Sequence, residues 1–416
     1  MQEAYISVDR DLSTERIERD VETLGGREYT TRDDAICRYA YVPEFRHTEA
    51  YFEAALKELG FDVFRDPVGN LVARNRPRGE RVFGIGSHCD SNRNGGKYDG
   101  TLGVVTALEV CRLNAEHDLD LPLQLISFME EESSGFGIAL LGSRIAAQRI
   151  TDDELSAIKA IDDDRPFVDH AREAGYEPER WRESIKILEN LIGWIELHIE
   201  QARVLQDTNT RIGIVTAIAG IAWYDVVVEG RADHAGATPM DFRLDASVPA
   251  ARCVVELERL ARKAGSGAVG TAGAFEVDPG LVNVIPGRVR VGTDIRAPSD
   301  ETVAEVARGL ETFVESVARE HGVTASVERR FQMAATPMED RIVHALESAV
   351  ERSGEPYMSM PSGAAHDTMC VADHVPTGMI FVPCKDGISH SPRESAEPAD
   401  AAVAAEVMLN AIAELT

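Results

Sequence analysis

Three short runs of the chain, VFGIGSH (82–88), LQLISFM (123–129) and GWIELHI (193–199), are apolar at nearly every position. Strands buried on both faces have this texture. Between and around them lie stretches with helical spacing. HTEAYFEAALKELG (47–60) carries one apolar stripe and stops at Gly60, and TLGVVTALEVCRL (101–113) follows Gly100. Buried strand-like runs separated by helices predict an α/β domain, with helices covering the faces of its sheet.

The texture changes from Ile212 to about Arg330. AWYDVVVEG (222–230) alternates as a half-exposed strand, and DASVPAARCVVELERLARKAG (245–265) is a long amphipathic helix. AVGTAGAFEV (268–277) and GRVRVGTDIR (287–296) follow as strands. A helix over 300–320 and a last strand over 323–331 complete the stretch. The order β-α-β-β-α-β is that of a ferredoxin-like unit, read as an insertion at 213–330 in a discontinuous domain of 1–212 and 331–416. After it, RIVHALESAVERSG (341–354) is helical, TGMIFVPC (377–384) is an apolar strand, and 399–415 is a closing helix.

Composition narrows the possible partners. The chain has 71 Asp plus Glu against 43 Lys plus Arg, a formal net charge of -28, and a surface of that sign repels nucleic acid and anionic membranes. No apolar run reaches the length of about 18 residues that a membrane span needs. The N-terminal MQEAYISVDRDLSTERIERD lacks the features of a signal or transit peptide, so a cytoplasmic protein is expected. Six scattered cysteines with no CxxC pair argue against a disulfide framework or a thiolate zinc site, and Cys89 reads as a small packing residue. Only six of the basic residues are lysines, which is compatible with a salt-rich cytosol and also with a GC-rich genome.

Four segments carry candidate chemistry. GSHCDSNRNGGKYDG (86–100) leaves an apolar strand through a glycine-rich loop, which is where open α/β sheets bind ligands. A neutral imidazole at His88 beside a carboxylate suits a borderline divalent cation such as Zn²⁺. Asp90, two residues on, is placed to orient that imidazole. FMEEESSGFG (128–137) sets Glu130, Glu131 and Glu132 directly after a strand, where one acid can ligate metal and its neighbour act as general base. In IELHIEQ, His198 ends a strand and Gln201 follows. In KDGISHSPRE, His390 follows a strand through a glycine turn. Each histidine alone is explained by packing, and the DDD run at 162–164 by a solvated loop. Four acid or histidine sites, all at strand ends, point to a metal centre. His47, His117, His170, His321, His344 and His374 match no such pattern.

Taken together, GSHxDxxxxGGxYDG, the EEE run, LHIEQ, DHAG, VNVIPG before DIR, SGAxHD and GISHSP resemble one family, in its order and over essentially the whole chain. It is the allantoate amidohydrolase and N-carbamoyl-L-amino-acid hydrolase family (L-carbamoylase, β-ureidopropionase-like). This is a branch of the two-zinc hydrolases that also include aminoacylases and carboxypeptidase G-type enzymes. The resemblance implies a zinc-peptidase-like catalytic domain on a mixed sheet, with the insert as lid and homodimer surface. It implies two divalent ions per chain, Zn²⁺ before Mn²⁺, Co²⁺ or Ni²⁺. Asp99 would bridge them, His88 and His198 completing one ion and Glu132 and His390 the other. Glu131 would be the general base and His234 the oxyanion-stabilising lid residue. Gln201, Asn283, Arg296, Ser362, Gly363 and His366 would surround a small carboxylate-bearing substrate.

The chain departs from the family beside the metal ligands. Ser133, Ser134 and Gly135 stand where Gly and then Arg are usual before the Phe, and Ala202 and Arg203 stand where Gly-Pro is usual. The expected activity is hydrolysis of a carbamoyl or ureido C–N bond. An aminoacylase or dipeptidase on the same scaffold is the nearest rival, and a metal-binding protein without catalysis the remoter one. Glu131 separates the last from the others, because a binding module needs no base beside a complete ligand set.

Overall fold

The computed structural model describes residues 5–265 and 267–416, which form two compact units. Unit 1 comprises residues up to Thr216, with Met338–Met360 and His366–Thr416, and unit 2 comprises Ala217–Pro337 with Pro361–Ala365. The strands are numbered along the chain. They are β1 (Asp62–Arg65), β2 (Leu71–Arg74), β3 (Val82–His88), β4 (Leu123–Phe128), β5 (Leu191–Ile199), β6 (Ile212–Ile218), β7 (Gly220–Glu229), β8 (Asp233–His234) and β9 (Val269–Asp278). They continue with β10 (Val284–Ile285), β11 (Arg288–Ala297), β12 (Thr324–Met333), β13 (Thr336–Pro337), β14 (Tyr357–Ser362) and β15 (Thr377–Val382).

The large sheet runs β1-β2-β4-β3-β5-β15-β6-β13, with β14 beside β6. Its central pairs β4/β3, β3/β5 and β5/β15 are parallel, and the outer pairs β1/β2, β2/β4 and β15/β6 are antiparallel, so the sheet is mixed. β3, β4 and β15 are buried at every position, as their unbroken apolar sequences require. Helices Thr101–Glu116 and Pro398–Leu415 are buried almost all round and occupy the core beside the sheet. β6, which begins where the sequence changes texture at Ile212, is hydrogen-bonded to β15 in this sheet. Helix Arg10–Leu24 buries Ile17, Val21 and Leu24 along one stripe, with Ser13 donating to the buried Glu109 carboxylate at 2.7 Å.

Unit 2 has a four-stranded antiparallel sheet in the order β12-β7-β11-β9. With helices Ser247–Ala264 after β7 and Asp300–His321 after β11, the order is β-α-β-β-α-β in a ferredoxin-like topology. β11 alternates buried and half-buried residues, its inner positions Val289, Val291 and Ile295 packing with Val303, Leu310 and Val314 of the second helix. The apolar core of this unit is separate from that of the large sheet. No helix among the described residues is long and apolar enough to cross a membrane.

Candidate metal centre

Because β4, β3, β5 and β15 are parallel, their carboxyl ends lie along one edge of the sheet. His88 is the last residue of β3, Glu130–Glu132 follow β4, His198 is the penultimate residue of β5, and His390 follows β15. Parallel pairing thus gathers four segments far apart in sequence, at the edge where open α/β sheets hold ligands. Asp99 joins them because the loop after β3 folds back on the His88 ring. Gly100 has φ +60°, and a Cβ there would lie 2.2 Å from the His88 imidazole, so only glycine fits.

Two ligand sets result, sharing Asp99: His88, Asp99 and His198, and Asp99, Glu132 and His390. In the first, His198 Nε2 is 3.2 Å and His88 Nε2 3.6 Å from Asp99 Oδ1, and the two Nε2 atoms are 3.4 Å apart. In the second, His390 Nε2 is 3.5 Å from Asp99 Oδ2 and 3.3 Å from Glu132 Oε2. A tetrahedral ion with N and O ligands at roughly 2.0–2.2 Å has ligand–ligand edges of roughly 3.3–3.6 Å. The donor spacing therefore fits divalent cations. Glu132 Oε1 is buried without a hydrogen-bond partner, as an oxygen reserved for metal would be. Glu131 Oε2 approaches His88 Nε2 at 3.7 Å but belongs to neither set.

The electrostatics call for cations as well. Burial pushes the carboxyls of Glu131 and Glu132 well above the usual carboxylate range, and neighbouring Asp99 adds to it for Glu132. Asp99 behaves oppositely: burial would raise it, but His198, His88 and His390 together hold it well below that range. Burial opposes charge on His88, yet Glu131, Asp90 and Asp99 outweigh it and raise the imidazole. Glu394 is pushed up to about 7 and Asp367 to about 8, mainly by burial. A dry basin with more carboxylates than imidazoles is stable only if positive charge is supplied.

Asp90 is fully buried and holds the acidic loop in place. Its Oδ1 accepts the Glu131 N–H at 3.1 Å and its Oδ2 the Glu132 N–H at 3.0 Å, while His88 Nδ1 lies 3.5 Å from Oδ1. Non-glycine residues with left-handed backbone gather here: Glu130, Ser133, Gln201 and His390 all have φ between 54° and 58°. Such conformations persist where surrounding contacts enforce them, and they concentrate at functional sites.

The residues expected to surround the substrate are divided between the units. Gln201, in unit 1, donates to Asp99 Oδ2 at 2.8 Å, and so touches the shared carboxylate directly. His366 is buried, its ring 4.5 Å from that of His198, and burial followed by the His198 charge draws its pKa well below the ordinary imidazole value. In unit 2, His234 is exposed and its Nδ1 accepts the N–H groups of Gly236 and Ala237 at 3.0 and 3.1 Å. That leaves Nε2 to carry the proton and donate outward. The β8/β10 ladder pairs His234 with Val284, and the Asn283 carbonyl accepts the Ala235 N–H, which makes Asn283 a neighbour. Arg296 forks onto Asp294 and donates Nη1 to the Gly363 carbonyl at 2.8 Å. Ser362 is buried, and its Oγ donates to the Ala364 carbonyl at 2.9 Å.

Two residues at the site, Glu394 and Ser389, were not singled out from the sequence. Glu394 accepts the backbone N–H groups of Tyr98 and Asp99 at 2.9 Å each and packs on Gly96, where a Cβ would be 2.4 Å away. Ser389 Oγ donates to Asp99 Oδ2 at 2.7 Å. Glu130 accepts from Ala40, Gly135 and Phe136 and so shapes the loop without touching the ligand sets. The only signal for Ser389 and Glu394 was that they flank His390. Cys89 is buried, and burial pushes its thiol up to about 12, in keeping with a packing role.

The chain is similar to known proteins over most of its length. The N-carbamoyl-L-amino acid amidohydrolase of Geobacillus stearothermophilus is 35% identical over 384 residues, 91% of this chain and 93% of that protein. The ureidoglycolate hydrolase of Oryza sativa subsp. japonica is 32% identical over 392 residues, 92% of this chain and 81% of that protein. Among solved structures, an amidase of the hydantoinase/carbamoylase family from Burkholderia multivorans superposes with a TM-score of 0.87 at 30% identity, covering 99% of each chain. Residues 85–414 match the profile of peptidase family M20/M25/M40, and the chain belongs to that family.

Proposed function

We propose that the protein is a metal-dependent amidohydrolase that cleaves a C–N bond of a small carbamoyl or ureido acid, using two divalent cations. The observation that carries this is the pair of ligand sets sharing Asp99, with Glu131 free of both and adjacent to Glu132. Held by these residues, the cations would lower the pKa of a bound water toward about 7 and polarise the substrate carbonyl. Glu131 takes a proton from the attacking water and delivers it to the leaving nitrogen, a contribution of typically about 10²–10⁴-fold. Its burial suits it to holding that proton between the two steps. Asp90 keeps Glu131 and Glu132 at fixed positions through their backbone N–H groups. His234 donates through Nε2 to the oxygen that becomes negative. Arg296 and Asn283 hold the substrate carboxylate, with Gln201, Ser362, Gly363 and His366 around the rest. For a carbamoyl substrate, water adds to the carbamoyl carbon and the C–N bond breaks. The amine then leaves, and the carbamic acid falls to ammonia and carbon dioxide.

Zn²⁺ is the cation best suited to two imidazole-and-carboxylate sets, ahead of Mn²⁺, Co²⁺ and Ni²⁺. The protein is further proposed to be a homodimer through unit 2. Among the described residues β9 is an edge strand bonded only to β11, and beside it Val248, Val255 and Phe275 form an exposed apolar patch. An unpaired edge next to apolar surface is what a second copy would cover.

The test is a substrate panel. Chelated and metal-reloaded protein is incubated with allantoate, N-carbamoyl amino acids, ureidopropionate, N-acetyl amino acids and dipeptides, with ammonia and free amine both measured. Ammonia release from carbamoyl or ureido compounds is expected only in reloaded protein. Amine release from acetyl amino acids or dipeptides without ammonia would instead establish an aminoacylase or dipeptidase.

A further inference from the structure

Arg38 lies under the metal loop and is completely buried. Its guanidinium makes four hydrogen bonds, all to neutral oxygens. Nε donates to the Cys89 carbonyl at 2.7 Å and Nη2 to Thr101 Oγ1 at 2.7 Å. Nη1 donates to the Leu24 carbonyl at 2.6 Å and more weakly to that of Tyr29 at 3.3 Å. Its backbone is used as well: the Arg38 N–H donates to Ser91 Oγ at 3.1 Å, and its carbonyl accepts the Ser91 N–H at 2.8 Å. Two residues upstream, Ile36 and Gly95 exchange a pair of backbone hydrogen bonds at 3.0 Å each.

A buried guanidinium with no carboxylate bonded to it is costly, so its position demands a return. The oxygens it joins supply one. Cys89 follows His88 directly, and Thr101 lies two residues beyond Asp99, so one rigid fork binds both ends of the loop that separates those two ligands. We infer that Arg38 is a positioning residue, which fixes the His88–Asp99 separation and thereby the cation set His88, Asp99 and His198. The inference rests on the metalloenzyme reading above. The planar, five-donor geometry of arginine matters here, because a lysine ammonium cannot hold Cys89, Thr101 and Leu24 in one plane.

A staple that merely stabilised the fold would lower the melting temperature and leave metal binding by the folded protein unchanged. The inferred role predicts selectivity instead. His88 and Asp99 are both members of the first set, whereas only Asp99 belongs to the second. The experiment titrates Zn²⁺ into metal-free full-length protein against a chromophoric chelator. Stepwise affinities are compared for wild type, Arg38→Lys and Thr101→Val, with His198→Ala and His390→Ala identifying which step belongs to which set. In Arg38→Lys, affinity at the His198-dependent step should fall about 10–100-fold, as when an oriented ligand loses its support, with a smaller change at the other step. Thr101→Val, which loses only the Nη2 contact, should shift the same step in the same direction by less. With Zn²⁺ in excess, kcat should fall while KM stays within about twofold, since the substrate contacts are untouched.

Equal loss at both steps, or none, would overturn the inference and leave Arg38 as a structural staple. If Arg38→Lys does not fold, Thr101→Val decides alone. Absence of divalent binding by the wild type would defeat the metalloenzyme reading, a different result from selective insensitivity to these substitutions.

Discussion

The two sheets of this protein solve the same burial problem in different ways. In unit 1 the parallel strands β3, β4, β5 and β15 are covered on both faces, and nearly every side chain is spent on packing. Chemistry is left to the strand ends, where His88, His198 and the residues after β4 and β15 emerge together. In unit 2 the antiparallel sheet packs two helices on one face only, and β9 exposes Phe275 and Val277. The Trp223 and Phe331 rings pack at 4.8 Å, tilted by 38°, on the side away from the helices. One unit thus gathers buried polar groups at one edge of its sheet, and the other leaves apolar surface exposed. Under the proposed function, the first unit would act through a few buried atoms and the second through area.

The largest effect expected is therefore at the strand ends. Glu131→Gln preserves shape but cannot accept a proton, so kcat should fall by about 10²–10⁴-fold while two metal ions per chain remain bound. Asp99→Ala should strip both ions, and His390→Ala should weaken one, as metal analysis of purified protein would report. Glu131→Gln turning over near the wild-type rate would remove Glu131 from its role as base.

A smaller loss is expected when unit 2 is altered at a single polar contact. His234→Ala should lower kcat about 10²–10³-fold, as removal of an oxyanion donor does, without loss of metal. Mixing inactive His234→Ala with inactive Glu131→Gln chains asks whether the histidine serves a neighbouring subunit. Recovery of activity after subunit exchange would place it in trans; no recovery after proven exchange would confine it to its own chain.

Area should respond more gradually. Val255 is 70% exposed in the isolated chain, so folding should tolerate Val255→Asp, whereas dimerisation would bury the new charge. Sedimentation should show dimer dissociation constants raised by about 10–100-fold, the size of a central interface contact. An unchanged constant would move the interface away from this face, and a monomeric wild type would dispose of the dimer.

How far each unit could be read from sequence follows from the same contrast. The uninterrupted apolar runs of β3, β4 and β15 announced buried strands, and the amphipathic helices 247–264 and 300–321 announced unit 2, because burial imposes strict periodicity there. The strands β1 and β2, four residues each, are too short for periodicity to show. Helix Arg10–Leu24 was hidden by its charges: Ile17, Val21 and Leu24 fall at helical spacing, but acids and arginines dominate the segment. At the site, residues with a motif of their own were legible. Arg38 and Glu394 were not, because each acts through backbone groups of a distant loop, and only the folded chain brings them there.

The smallest expected effects test whether the two units are separate bodies in energy as well as in packing. Each contains a helix with a side-chain cap. In unit 2, Ser299 Oγ accepts the Thr302 N–H at 3.2 Å, and in unit 1, Thr151 forms a capping box with Glu154. Replacing either capping residue by alanine should cost about 1 kcal/mol. The same loss moves a small cooperative unit further than a large one, because the unfolding entropy grows with size. Ser299→Ala should therefore lower one calorimetric transition by roughly 4 °C, and Thr151→Ala should lower another by roughly 2 °C, each leaving the other in place. The apolar clusters of the two units share no residue, which is why independent transitions are expected. If scanning calorimetry showed one transition that both substitutions displaced together, the sheets would melt as a single body, and the contrast between them would be one of surface chemistry alone.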